Sequence, residues 1–202
     1  MPATPPMEVV WQYGERLLSC IHQTLADTDA GAPERHCQVP GGIIAWDDCD
    51  CGGQLTVHVA TEYPADTFPL QKLTGPFNCT TRLTVVEYVA TILRCVPTQT
   101  DHGHSPSCVK QSAAAHQAAQ DRWALRRGAM CCFAGDNRLS APEVLLQEAR
   151  SIGGEGKCAG SEVHVLVGFS NCVACDDIDT GSVYDGGTGD FYPATVLDGG
   201  AG

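Results

Sequence analysis

Residues 81–94 read TRLTVVEYVATILR. β-Branched and aromatic residues dominate the run, and these are the types that pleated strands favour. Apolar groups fall on both sides of the alternation: Leu83, Val85 and Val89 on one face, Val86, Tyr88 and Ile92 on the other. A strand wetted on one side would alternate apolar with polar, so this segment is expected at the centre of a sheet, covered on two faces. A central strand needs neighbours, and a covered face needs helices or a second layer.

The neighbours are legible on both sides. Gln54 to Tyr63 alternates strictly, with Leu55, Val57 and Val59 on one face and Thr56, His58 and Ala60 on the other, which predicts a strand. Gln38 to Trp46 reads as a further strand, joined to it by the turn residues Cys49 to Gly53, so the two are expected to form a hairpin. Ser161 to Phe169 alternates again, with Val163, Val165, Val167 and Phe169 on one side.

Two helices complete the pattern. Val10, Tyr13, Leu17, Ile21 and Leu25 recur at steps of three and four, an apolar stripe on a helix from about Met7 to Asp27. The Gly and Pro of TDAGAP, Thr28 to Pro33, end it. A second helix is expected from Ser107, a capping residue, through an Ala-rich body to Cys132. Ser140-Ala-Pro-Glu143 has the form of a capping box and predicts a short extra helix to about Ser151, with Ile152 to Gly160 as a Gly-rich loop. Tyr63 to Asn78 and Val96 to Ser107 read as long loops. The expected fold is therefore α+β: one mixed or antiparallel sheet in the order α-β-β-β-α-β, with helices packed on it. Residues 1–175 form a single domain in this reading, and 176–202 an acidic, Gly-rich tail with few core formers.

The bulk composition agrees with a globular domain. The chain has 202 residues, 43% of them hydrophobic and 18% charged, enough to bury a core. The formal net charge is −12, which disfavours binding to a phosphate backbone, since that affinity comes from Lys and Arg. No stretch reaches the ~20 apolar residues of a membrane helix. The N-terminal residues MPATPPMEVVWQYGERLL lack the basic and apolar regions of a signal peptide, so the chain is expected to be made and folded in the cytoplasm. Twelve cysteines are dense for a reducing compartment. Synthesis in the cytosol followed by service outside the cell reconciles the two.

Those cysteines are the first candidates for chemistry. Cys172-Val-Ala-Cys175 has the spacing of half a zinc site, and Cys49, Cys51, His102 or His104 could supply the other half. A thioredoxin-like role fits poorly, because the pair follows a strand and leads into acidic sequence. In the structural reading Cys37, Cys49, Cys51 and Cys79 brace sheet ends, Cys95 and Cys158 sit similarly, and Cys20 and the Cys131-Cys132 pair make core or local contacts. The seven histidines are not expected to cluster with carboxylates, and His58 and His164 are expected to be strand residues whose polar groups are satisfied. Asp47, Asp48 and Asp50 lack the frame of a calcium loop and suit a tight turn. Trp123, Arg126 and Arg127 form a small cationic patch on the second helix, better matched to a protein partner than to nucleic acid. No catalytic, cofactor-binding or metal-ligating constellation emerges, and no enzyme activity is expected.

Several stretches resemble a family of small virion proteins of actinobacterial siphophages, from among the neck and tail components. The likeness runs through HCQVPGGIIAWDDCDCGGQLTVHVATEYP (36–64), Phe68-Pro69, VEYVATILRCVPT (86–98), Cys131-Cys132 and KCAGSEVHVLV (157–167), within residues 8–170. Among neck proteins, the element order is similar to that of the lambda-type tail terminator family, whereas stoppers are mostly small β-barrels and adaptors mostly helical. The resemblance implies a homo-oligomer, a hexameric ring that caps the tail tube. It also implies contacts with the major tail tube protein and the head–tail connector or stopper, and a channel through which genomic DNA passes without specific binding. The two loops and the tail would make the contacts. Asp47 to Gly53 would then be a hairpin turn, with Trp46 plugging the core and cysteines bracing the ends. A zinc-stabilised binding module built on Cys172 and Cys175 is the alternative from another class, as is another neck component such as a stopper or adaptor.

Overall fold

The computed structural model describes residues 6–42, 53–71, 83–99, 103–134, 142–155 and 157–170. The chain divides into a compact unit, Met1–Cys172, and a second, Val173–Gly202; every described residue belongs to the first. The elements are α1 (Pro6–Ala26), β1 (Arg35–Gln38), β2 (Gln54–Ala65), β3 (Leu83–Cys95), α2 (Cys108–Cys132), β4 (Glu143–Glu155) and β5 (Cys158–Ser170). The strands make one sheet in the order β1-β2-β3-β5-β4. All neighbouring pairs are antiparallel except β1 with β2, which is parallel. The fold is α+β, with a mixed sheet.

The two-sided apolar run forms the middle strand, β3. Val86, Tyr88, Ala90 and Ile92 point to one side of β3, where they meet Leu17, Ile21 and Leu25 of α1, Ala124 and Leu125 of α2, and Val163, Val165 and Val167 of β5. Both helices lie on this face. The other face holds a smaller cluster of Ala65, Val85 and Leu166, against which Tyr63 and Phe68 pack. The apolar residues on both sides of β3 thus have two different covers.

Three local devices fix the helical layer. Arg94, at the end of β3, donates from Nε and Nη2 to the two Asp121 carboxylate oxygens of α2, at 2.8 and 3.0 Å. Its Nη2 also donates to the Gly31 carbonyl at 2.7 Å. One buried guanidinium therefore ties the sheet, α2 and the turn after α1. Gly128 sits where α1 and α2 cross: a Cβ there would lie 2.8 Å from the Ile21 Cα, so only glycine allows this approach. A disulfide joins Cys20 of α1 to Cys132 of α2, with Cα atoms 5.5 Å apart.

The ends of the helices follow their sequence cues. The Thr28 amide bonds the Leu25 carbonyl at 3.0 Å, and Gly31 takes a positive φ of 67°, as a helix stop requires. Ser107 caps α2, its Oγ accepting from the Lys110 amide at 3.4 Å.

The structure corrects four expectations. The segment read as a short helix after Ser140 and a Gly-rich loop is instead β4 and the start of β5, a long hairpin. Its Glu, Leu, Gln and Ala are good helix formers, but intrinsic propensity amounts to less than about 1 kcal/mol per residue, and pairing along β5 outweighs it. Among the described residues the strand in this region is Arg35–Gln38, earlier than the expected Gln38–Trp46; it runs parallel to β2 and so forms no hairpin with it, while residues 43–52, which include the end of the expected strand and most of its turn, lie outside those described. Tyr63 to Ala65 extends β2 instead of opening a loop. Cys20 and Cys132, expected to make only core or local contacts, are bridged to each other, because the helix crossing brings together residues separated by 112 positions. Cys158 is likewise disulfide-bonded, in keeping with a bracing role at a strand end, whereas Cys37 is an exposed free thiol.

Truncating either member of the buried pair would strand the other charge. Arg94→Ala or Asp121→Ala is expected to lower the unfolding free energy by about 3–5 kcal/mol in urea titrations. Removing the bridge with Cys20→Ser and Cys132→Ser is expected to cost about 2–4 kcal/mol.

Candidate functional site

Strand alternation puts Glu87 and Val89 of β3 opposite to the helix-covered side. The β3–β5 register sets Glu87 beside Leu166, Val89 beside His164, and Thr91 beside Glu162. The β2–β3 register adds His58 beside Val89 and Thr61 beside Glu87. Four strands thereby place a polar group on the helix-free face, although its members are up to about a hundred residues apart in sequence.

His164 is its centre. Its Nδ1 lies 2.7 Å from Glu87 Oε1 and its Nε2 3.3 Å from Glu162 Oε1. Each ring nitrogen thus faces a carboxylate from a different strand. Thr61 Oγ1 donates to Glu87 Oε2 at 3.0 Å, and Arg150 of β4 donates from Nε to Glu162 Oε1. His58 is buried, and an added Cβ on Gly42 would stand 3.2 Å from its Nε2. Among the described residues its Nδ1 and the Oγ1 of Thr56 are buried without a hydrogen-bond partner, which corrects the expectation that His58 is a satisfied strand residue.

The charges respond to this packing. Burial raises the Glu87 carboxyl, but hydrogen bonds from His164 and Thr61 and the nearby His164 and Arg150 charges outweigh it, so the group sits below its ordinary value. Glu162 is likewise raised by burial and lowered further by its bonds to Arg150 and His164, with the same net direction. His58 is lowered, chiefly because burial penalises its cation; Glu162 and Glu87 oppose that and His164 adds to it. The expectation that the histidines do not cluster with carboxylates is therefore wrong for His164. The signal was its pairing with β3, which a linear reading does not display.

A second feature lies on the opposite side of the molecule. The outer surface of α2 carries a groove of about 550 Å³ lined by Arg122, Trp123, Arg126, Arg127 and Met130. Trp123 is 53% and Met130 59% exposed. The Arg127 guanidinium stacks 5.0 Å from the Trp123 ring centroid. The patch expected from Trp123, Arg126 and Arg127 is thus present, widened by Arg122 and Met130. The latter two lie one helical turn away on the same side.

The other candidate residues lie elsewhere. Trp46, Asp47, Asp48, Cys49, Asp50, Cys51, Cys79, His102, Cys172 and Cys175 are outside the described residues. Among the described residues, no group of three or more His, Cys, Asp or Glu is placed to hold a metal ion, and no helix is long and apolar enough to cross a membrane. No protein-family model matches the chain, and no curated protein is significantly similar to it.

Because His58 resists protonation in the fold, the unfolded chain binds more protons there, and stability rises with pH across that window. Stability is expected to fall as pH drops below 6.5, the ordinary imidazole value. It should fall again below 4.5, as Glu87 and Glu162 lose the charge their partners stabilise. His58→Phe should abolish the first stage and keep the second; urea unfolding between pH 8 and pH 3 reads both.

Proposed function

We propose that this chain is a structural protein of an actinobacterial siphophage virion. It forms a ring at the head–tail junction that ends the tail tube and docks it to the head connector. Assembly, not turnover, is its role, and no cofactor or catalytic residue takes part. The main support is architectural: the order helix, three strands, helix, strand, read from the sequence, is similar to that of lambda-type tail terminators, and the two-layer subunit keeps its first five elements before closing with two strands. Fold likeness alone does not carry function, so the surface matters as well. The Trp123, Met130 and arginine groove is the kind of patch that a protein partner covers.

In this reading the partners are further copies of the chain, with six closing the ring, together with the major tail tube protein and the head-side connector or stopper. The chain assembles in the host cytoplasm and then resides in the virion neck. The net charge of −12 lets genomic DNA pass without adhesion, and no membrane is involved. The Cys20–Cys132 bridge suits a particle that leaves a reducing cell for oxidising surroundings.

Reconstruction of the virion by electron microscopy tests this reading. Density for the two-layer subunit is expected as a single ring between the last tail-tube disc and the connector. Virions that lack the chain, or that hold it at the tail tip or on the capsid surface, would contradict the assignment. So would about one tightly bound zinc per purified chain, with a stable monomer as its only state.

A further inference from the structure

The two helices flank opposite edges of the sheet. α1 packs on β1 and β2, and α2 on β5 and β4, while β1 and β4 are the two outer strands. The solvent-exposed sides of the two helices differ in charge. On the α1 side Trp11 is 55% exposed, with Glu8 and Glu15 exposed beside it. Gln38 of β1 holds this side in place, its Nε2 donating to Glu15 Oε1 at 2.9 Å and to the Trp11 carbonyl at 3.1 Å. On the α2 side stand Arg122, Arg126 and Arg127 around Trp123 and Met130. Arg122 is anchored to β4 by donation to Ser151 Oγ at 2.8 Å.

We propose that these two flanks bind each other: the acidic α1 flank of one copy seats against the arginine–tryptophan flank of α2 on the next. This rests on the ring reading above and supplies its contact. The two surfaces are different, so the contact is head-to-tail, the kind that generates a ring when the rotation closes. A large aromatic on each side provides apolar area, and the carboxylates meet guanidiniums, which set the pairing and the register. A second copy suits this groove better than nucleic acid does. Three arginines on a chain of net charge −12 give a weak footprint for phosphates but a matched one for Glu8 and Glu15. In the sheet layer the same approach brings the outer edge of β4 toward the next subunit. Among the described residues that edge has no strand beside it, so its backbone groups are available to a neighbour.

Charge reversal tests the contact. Arg126→Glu with Arg127→Glu, and separately Glu8→Arg with Glu15→Arg, change only exposed positions; far-UV circular dichroism and urea unfolding check that each variant folds. Mass photometry and light scattering across a concentration series should show multimers for the unaltered chain. Each single-flank variant is expected to associate at least about tenfold more weakly. The chain carrying all four reversals should recover association, because its flanks match again. Multimers that persist unchanged in both single-flank variants would overturn this contact while leaving the ring reading intact. An unaltered chain that stays monomeric at every concentration would overturn this contact, while the virion reconstruction decides the ring reading separately. Loss of DNA binding without loss of association in the arginine variant would assign the patch to nucleic acid and overturn the proposal.

Discussion

One buried guanidinium organises the helical layer. Arg94 ends the central strand, pairs with Asp121 in the middle of α2 and holds the Gly31 carbonyl after α1. Burying such a charge is unfavourable unless every partner is in place. The arrangement therefore forbids sliding of either helix along the sheet. Gly128 adds a steric constraint, because α1 and α2 touch there closely enough that a Cβ would strike the Ile21 backbone. The Cys20–Cys132 bridge holds the same crossing covalently. Apolar burial drives the layers together, and these contacts choose one register among many similar ones.

From that register the two sides of the molecule acquire separate characters. The helix-covered face is apolar and nearly dry. The free face carries His58, Glu87, Glu162 and His164, linked to Thr61 and to Arg150 of β4. This group engages its own carboxylates and so couples four strands. Its function in the account is cohesion, with a dependence on pH that follows from burial. The outer flanks of the helices, by contrast, hold their charged groups toward solvent with large aromatics beside them. They are where an assembly would form.

Much of this was legible in the residues. The two-sided apolar run of β3, the alternation of β2 and β5 and the helical stripe of α1 read directly, because each period is set by one element's burial. Ser107 was legible as a cap for a chemical reason, its side-chain oxygen. What escaped depends on partners far along the chain. Glu143 follows Ser140 at capping-box spacing, yet β5 recruits this segment as a strand. The parallel pairing of Arg35–Gln38 with β2 has no local mark, and four exposed or half-buried residues show no alternation to read. The cysteine bridge and the His164 cluster arise where elements cross or pair, so only the topology reveals them. The α2 patch was visible in part, since Trp123, Arg126 and Arg127 are close in sequence. Met130 joins only through helical geometry.

Amide hydrogen exchange, compared between the assembled and the dissociated chain, tests the central claim most directly. That claim is that the helical layer leaves two unlike flanks whose union builds the assembly. The account expects added protection on assembly at the outer edge of β4 and in the turns of α1 and α2 around Trp11 and Trp123, with β3 slow in both states. Added protection confined to the helix-free face, around Glu87 and His164, with both helices unchanged, would contradict it.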